Sequence, residues 1–145
     1  MSSTNFLSAT ATQAGLEDGT ISLSQILKDH HKRYQQKDDD IHAWVVTRHS
    51  QLLAEAEGMQ ADHDKAGNGM LLRGVTIGVK DIMSESSGSS WYMSLASATK
   101  DMPTKYGSKI YDNCNQPGLD ASVVALCREQ GAIILGKTVG VPRCF

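Results

Sequence analysis

The chain has 145 residues, 40% hydrophobic and 21% charged, with a net charge of −2 and a pI near 6.2. These values suit one globular domain or a piece of one, and they exclude a strongly basic nucleic-acid surface. No apolar run approaches the ~20 residues that a membrane-spanning helix needs.

The three cysteines, Cys114, Cys127 and Cys144, are irregularly spaced, which argues against a disulfide framework and fits a reducing compartment. The N-terminus lacks a basic stretch followed by an apolar run, so no secretory signal is expected and a soluble cytoplasmic protein is the default.

Residues 1–19 are rich in Ser, Thr, Ala and Gly and read as a flexible leader. Ser22 with Gln25 three positions on suggests a capping box that opens a helix. Leu23, Ile26, Leu27 and Tyr34 give that helix an apolar side, and the end is expected near Gln36, before an acidic turn at Asp38-Asp39-Asp40. The run Ile41 to Val46 is ambiguous between a strand and the entrance to a helix. A second helix is expected over Ser50 to Gln60, with Leu52, Leu53, Ala56 and Met59 on one side. Ala66 to Gly69 reads as a loop.

Val75, Ile77 and Val79 alternate with Thr76 and Gly78, the period of a strand. The small alternate residues imply that another group packs closely there. Ser84 to Lys100 begins with a serine-rich tract and has no clear period, so it reads as a disordered insertion. Asp101 to Ser108 is loop-like. Asp120 is expected to cap a helix whose apolar side is Val123, Val124 and Cys127, with Gly131 just past its end in a left-handed conformation. Cys127 is expected to be a buried, inert thiol. Ala132 to Val139 is a second, buried strand. Strand, long connection, helix and strand together indicate an α/β class.

Four blocks carry more than secondary structure. They are Leu72-Arg73-Gly74-Val75-Thr76-Ile77-Gly78-Val79-Lys80-Asp81-Ile82, then Asp101-Met102-Pro103-Thr104-Lys105-Tyr106-Gly107-Ser108, then Asp120-Ala121-Ser122-Val123-Val124, and finally Gly131-Ala132-Ile133-Ile134-Leu135-Gly136-Lys137-Thr138. In this order they resemble the amidase-signature family, from about Thr20 to Val139 apart from the insertion. The resemblance implies a partial amidase-signature fold over residues 20–145: N-terminal helices, then strand, helix and strand of a mixed sheet. It also implies hydrolysis of a carboxylic amide by a serine, a second serine in a cis peptide, and a lysine base. The motif places that lysine at Lys80. No cofactor or metal is implied, and the expected ligand is a small-molecule amide.

Such a base has a physical requirement of its own. A serine hydroxyl attacks only when a base takes its proton. Lysine, with an ordinary pKa of about 10.4, accepts one only where desolvation disfavours its charged form. Asp81, whose carboxylate would oppose this, is given a structural role in the turn. The family's two serines lie in a loop downstream of the segment matching Gly136-Lys137-Thr138, so neither is expected before Phe145. An inactive truncated fragment is therefore one alternative. The A-type component of the enzyme that transfers ammonia to misacylated transfer RNA is another.

Three further patterns carry less. The tract Ser86 to Ser90 lies on the wrong side of the Met-Pro-Thr block to stand for the serine loop. Gly131 to Thr138 fits the phosphate-loop expression, but its centre is apolar and strand-like, so it reads as a false match. His30, His31, His42, His49 and His63 have no zinc-ligand spacing and read as solvated or capping side chains.

Overall fold

The computed structural model describes residues 4–66, 69–81, 99–105 and 118–140. After a 3-10 turn at Thr4–Phe6, the elements are α1 (Ala9–Glu17), α2 (Leu23–Ile41), β1 (Trp44–Thr47), α3 (His49–Ala66), β2 (Thr76–Lys80), α4 (Ser122–Glu129) and β3 (Ile133–Thr138). The three strands form one sheet in the order β1-β3-β2. β2 and β3 run parallel and are joined through α4, whereas β1 pairs antiparallel with β3. The expected α/β class with strand, helix and strand of a mixed sheet is what the chain adopts.

Apolar residues cover both faces of the sheet. On one side Leu23, Ile26 and Leu27 of α2 and Leu52 and Ala56 of α3 pack with Leu16 against Ile133 and Leu135. The other side joins Val124, Ala121 and Met102 to Ile134, with Val46, Ile77 and Val79 beside them. Leu53 and Met59 pack at the edge of the first cluster, so the face expected for α3 is the one it buries.

Several expectations need correction. The leader over 1–19 contains a turn and a helix from Thr4 to Glu17, and Asp29 of α2 holds the turn by accepting from both Thr4 N–H and Thr4 Oγ1, at 2.7 and 2.8 Å. The backbone bond from Thr4, with help from its side chain and Gln25, holds the Asp29 carboxyl below its ordinary range against the effect of burial. Only half of the capping box forms. Ser22 Oγ accepts the Gln25 N–H at 3.2 Å, but the Gln25 amide turns forward to Asp29 Oδ1 at 2.9 Å.

α2 does not stop near Gln36. It runs through the three aspartates to Ile41 and closes on His42 in the left-handed region at φ 52°. Aspartates near a helix C-terminus oppose the dipole. Asp38 offsets this by accepting the Ala43 N–H, at 2.8 Å, beyond the helix end. Trp44–Thr47 then settles the ambiguous run as a strand.

α4 departs from expectation on two counts. Its N-cap is Ala121, which makes no side-chain capping bond, while the Asp120 carboxylate accepts the Lys100 N–H at 2.8 Å. Of its expected apolar face only Val124 is buried; Cys127 is half-buried, and Val123 and Leu126 are each 59% exposed. Gly131 does adopt positive φ, at 84°. The serine-rich tract lies outside the described residues, as do Cys114 and Cys144. Of the expected insertion, Thr99 and Lys100 are described: Thr99 is buried and bridges to Met102.

Candidate functional site

β2 and β3 end side by side, Lys80 opposite Thr138 and Val79 opposite Lys137. The pairing skips Leu135, because Ile77 faces Ile134 while Gly78 faces Gly136. Side chains alternate along a strand, so one skipped residue reverses every later position relative to the partner. This bulge turns Lys137 to the face of Val79, where Met102 and Val124 lie. β1 has a skip of its own, at Val45, since Trp44 faces Thr138 while Val46 faces Lys137.

The two glycines at the bulge are needed for close approach. A Cβ on Gly78 would come 3.0 Å from Thr138 Cγ2 and 3.1 Å from the Trp44 ring. One on Gly136 would collide with the backbone oxygen of Val46. The small residues expected in β2 do mark a close contact, and the neighbours are Trp44 and Thr138.

Lys137 is fully buried. Its Nζ donates to Thr104 Oγ1 at 3.1 Å and stands 3.7 Å from Asp81 Oδ1, itself buried. Both Asp81 oxygens also accept the Lys105 N–H at 3.2 Å. Burial lowers the Lys137 ammonium from its ordinary range, and the Asp81 carboxylate opposes that shift. The loop that brings Thr104 and Lys105 here is itself anchored. Asp101 receives Arg128 at 2.8 Å and Arg48 at 2.7 Å, and Arg128 Nε stands 3.1 Å from Asp120. Three of the four sequence blocks therefore meet at the residue after Lys80, and the fourth, at Asp120, braces the loop.

Lys80 is treated differently. It lies two residues from Gly78, on the sheet face opposite Val79 and Lys137, and its side chain is exposed. Among the described residues it makes no hydrogen bond or ion pair. Gly140 passes beside it, where an added Cβ would lie 3.6 Å from Lys80 Cε. The role given to Asp81 in the turn is visible as the buried pair with Lys137, a partner that sequence reasoning missed. A signal was available: a lysine continuing a wholly apolar strand must find a buried counter-charge.

Gly131 to Thr138 is a turn and a strand with Lys137 inside the sheet, so the phosphate-loop match has no loop to support it. His30, His31 and His49, far apart in two sequence segments, gather around Tyr34 and Trp44, which spacing alone did not show. Among the described residues no three His, Cys, Asp or Glu side chains are arranged to hold a metal ion. No described helix is long and apolar enough to cross a membrane.

The Amidase family model matches residues 25–140. Among curated relatives, the A-type subunit of glutamyl-tRNA(Gln) amidotransferase from Koribacter versatilis is 28% identical over 134 residues, covering 92% of this chain and 25% of the relative. The protein of the same name from Oleidesulfovibrio alaskensis is 32% identical over 130 residues, covering 89% and 23%. Among solved structures, a bacterial aryl acylamidase of the amidase signature family superposes with a TM-score of 0.72 at 16% identity, covering 92% of this chain and 25% of that one. The peptide amidase of Stenotrophomonas maltophilia gives 0.68 at 19% identity, with the same coverage. These structures establish likeness of fold, and the chain spans about a quarter of the length of each relative. The family match runs from α2 to the end of β3 and takes in both lysines, and on that ground the chain belongs to the amidase family.

Proposed function

We propose that this chain supplies the general base of an amide-hydrolysing site and that Lys80 is that base. The observation that carries the reading is the exposed Lys80 amine, which makes no hydrogen bond or ion pair among the described residues, at the C-terminal end of a family-matched strand. A buried ion pair one residue away fixes the turn that presents it. In the reaction a serine hydroxyl gives up its proton through a second serine to the lysine amine and attacks the amide carbon. The protonated site then returns the proton to the leaving nitrogen as the carbon–nitrogen bond breaks, and water hydrolyses the resulting serine ester to the carboxylate and the free hydroxyl. The resemblance implies both serines downstream of the segment that matches Gly136-Lys137-Thr138.

For Lys80 to be a base, other polypeptide has to cover it and exclude water, because a solvated lysine is held in its charged form. The exposure of Lys80 here and the fourfold greater length of the relatives are compatible with that division. The proposed substrate is a small carboxylic amide, converted to a carboxylate and ammonia or an amine, and the proposed location is the cytoplasm.

A second reading has its own support. The curated relatives just described are both named as the A-type subunit of glutamyl-tRNA(Gln) amidotransferase, which would place this chain in a larger complex that works on charged transfer RNA.

The test is a graft. Residues 25–140 replace the corresponding segment of the bacterial aryl acylamidase, and turnover of an aryl amide is followed with Lys80 intact or as Lys80→Ala. The expected result is turnover that falls by about 10²–10⁴ in kcat in the variant, the range general-base catalysis contributes. Equal turnover with and without Lys80 would remove it from the mechanism. Activity with glutamine and charged transfer RNA, in a parallel graft into the Koribacter versatilis amidotransferase, would favour the second reading.

A further inference from the structure

The inner stripe of α2 changes character along the helix. Leu23, Ile26 and Leu27 seal its first half to the sheet, but further along Arg33, Lys37 and Ile41 border an open cavity of about 160 Å³ with mostly apolar walls, Tyr34, Trp44 and Leu135 among them. Ile41 leaves 62% of its surface to water. An exposed apolar side chain at the rim of an apolar cavity is one half of a contact that a single copy of the chain does not make.

The charges on this half of α2 are also unmet. Arg33, Lys37 and Asp40 are exposed and make no ion pair among the described residues. Asp38 is engaged, accepting the Ala43 N–H at 2.8 Å. His49 adds no charge at neutral pH, because burial, with smaller contributions from His31 and His30, lowers its ring to about 4. Arg33 and Asp40 are seven residues apart, which on an α-helix puts them within about 20° of one face and about 10 Å apart along the axis. Opposite charges so spaced complement a second helix of the same sequence laid antiparallel, since each arginine then meets the other copy's aspartate.

We propose that the C-terminal half of α2 docks on the same surface of a second copy of this chain. The helices run antiparallel about a twofold axis between Gln36 and Lys37, with Arg33 of each copy against Asp40 of the other. Each Ile41 then comes to the Arg33 end of the other copy's cavity. Covering Ile41 supplies the attraction, and the charges fix the register. One helix face falls short of the ~1,000 Å² of a stable interface, so the dimer is weak and forms only at high concentration. The axis also sets the two Lys37 ammonium groups side by side, so of two neighbouring basic residues Arg33 favours association and Lys37 opposes it.

The test is sedimentation equilibrium of the full chain from about 10 μM to about 1 mM. The average mass should rise with concentration from the 15.7 kDa of one chain towards twice that value. Ile41→Ser, Arg33→Glu and Asp40→Arg should each weaken the dimer by at least about tenfold, because twofold symmetry counts every change twice. The combined reversal Arg33→Glu/Asp40→Arg should return the affinity to within about threefold of the native chain, and Lys37→Gln should associate at least as tightly as the native chain. All four positions are exposed, so the variants keep the fold. A single-chain mass throughout overturns the proposal, as does a combined reversal that restores nothing or a Lys37→Gln chain that associates less. Association indifferent to these changes would place the contact elsewhere, for instance on the exposed Val123 and Leu126 of α4, and would equally overturn it.

Discussion

Lys80 and Lys137 stand near the ends of adjacent parallel strands, and the fold handles them in opposite ways. Lys137 is fully buried, hydrogen-bonded to Thr104 and set against Asp81. Lys80 is exposed on the opposite face and makes no hydrogen bond or ion pair among the described residues. One skipped residue, Leu135 in the pairing with β2, produces the contrast by turning Lys137 to the face of Val79. Lys137 belongs to the buried frame at the end of the sheet, and Lys80 stands exposed beside it.

The largest effect that would undo this contrast is on stability. Lys137→Met leaves Asp81 buried without its lysine, and breaking such a pair costs about 3–5 kcal/mol. Lys80→Met, at an exposed position, should change stability by no more than about 0.5 kcal/mol. Denaturant unfolding of the two variants checks this, and similar losses would contradict the division. Adding Asp81→Asn to Lys137→Met should recover much of the loss, since the remaining buried groups are then neutral.

Much of this platform was legible in the sequence, and the parts that were not share a cause. β2, β3 and Gly131 follow from local alternation and from a backbone conformation that glycine adopts easily. Lys80 was marked by its motif. The inward turn of Lys137 was not, because a bulge is a relation between two strands and leaves no period in either one. Asp120 has the chemistry of a cap, but a distant loop claims its carboxylate through the Lys100 N–H. The face of α4 could not be chosen from Val123, Val124, Ala125, Leu126 and Cys127, since five consecutive apolar or small residues carry no direction. α2 overran its expected end because Asp38 caps Ala43 from within the helix, a bond that exists only once β1 turns away. The gathering of His30, His31 and His49 depends on α2 packing beside the start of α3.

A smaller effect separates the sealed and open parts of the α2 face. The folded chain holds the His49 ring at about 4, against an ordinary 6.5. Below pH 6.5 the unfolded chain takes up a proton that the folded chain refuses, so this contribution to stability is intact above about 6.5, declines towards 4 and then levels off. The full span is on the order of 3 kcal/mol. Unfolding measured at pH 7 and pH 5 should show a steeper loss for the native chain than for His49→Phe. His30, lowered mainly by burial, leaves a residual slope of the same sign. Parallel slopes in the two proteins would mean that His49 titrates as a solvated ring.

The division between the two lysines is read most directly by native-state acylation of the full chain with an amine-reactive ester, followed residue by residue by mass spectrometry. Lys80 should react as a solvated amine. Lys137 should react slower by on the order of a hundredfold or more, because its amine is reached only when the structure opens, and denaturant should erase the difference. Comparable labelling of Lys80 and Lys137 in the native chain would contradict a buried structural lysine beside a free one.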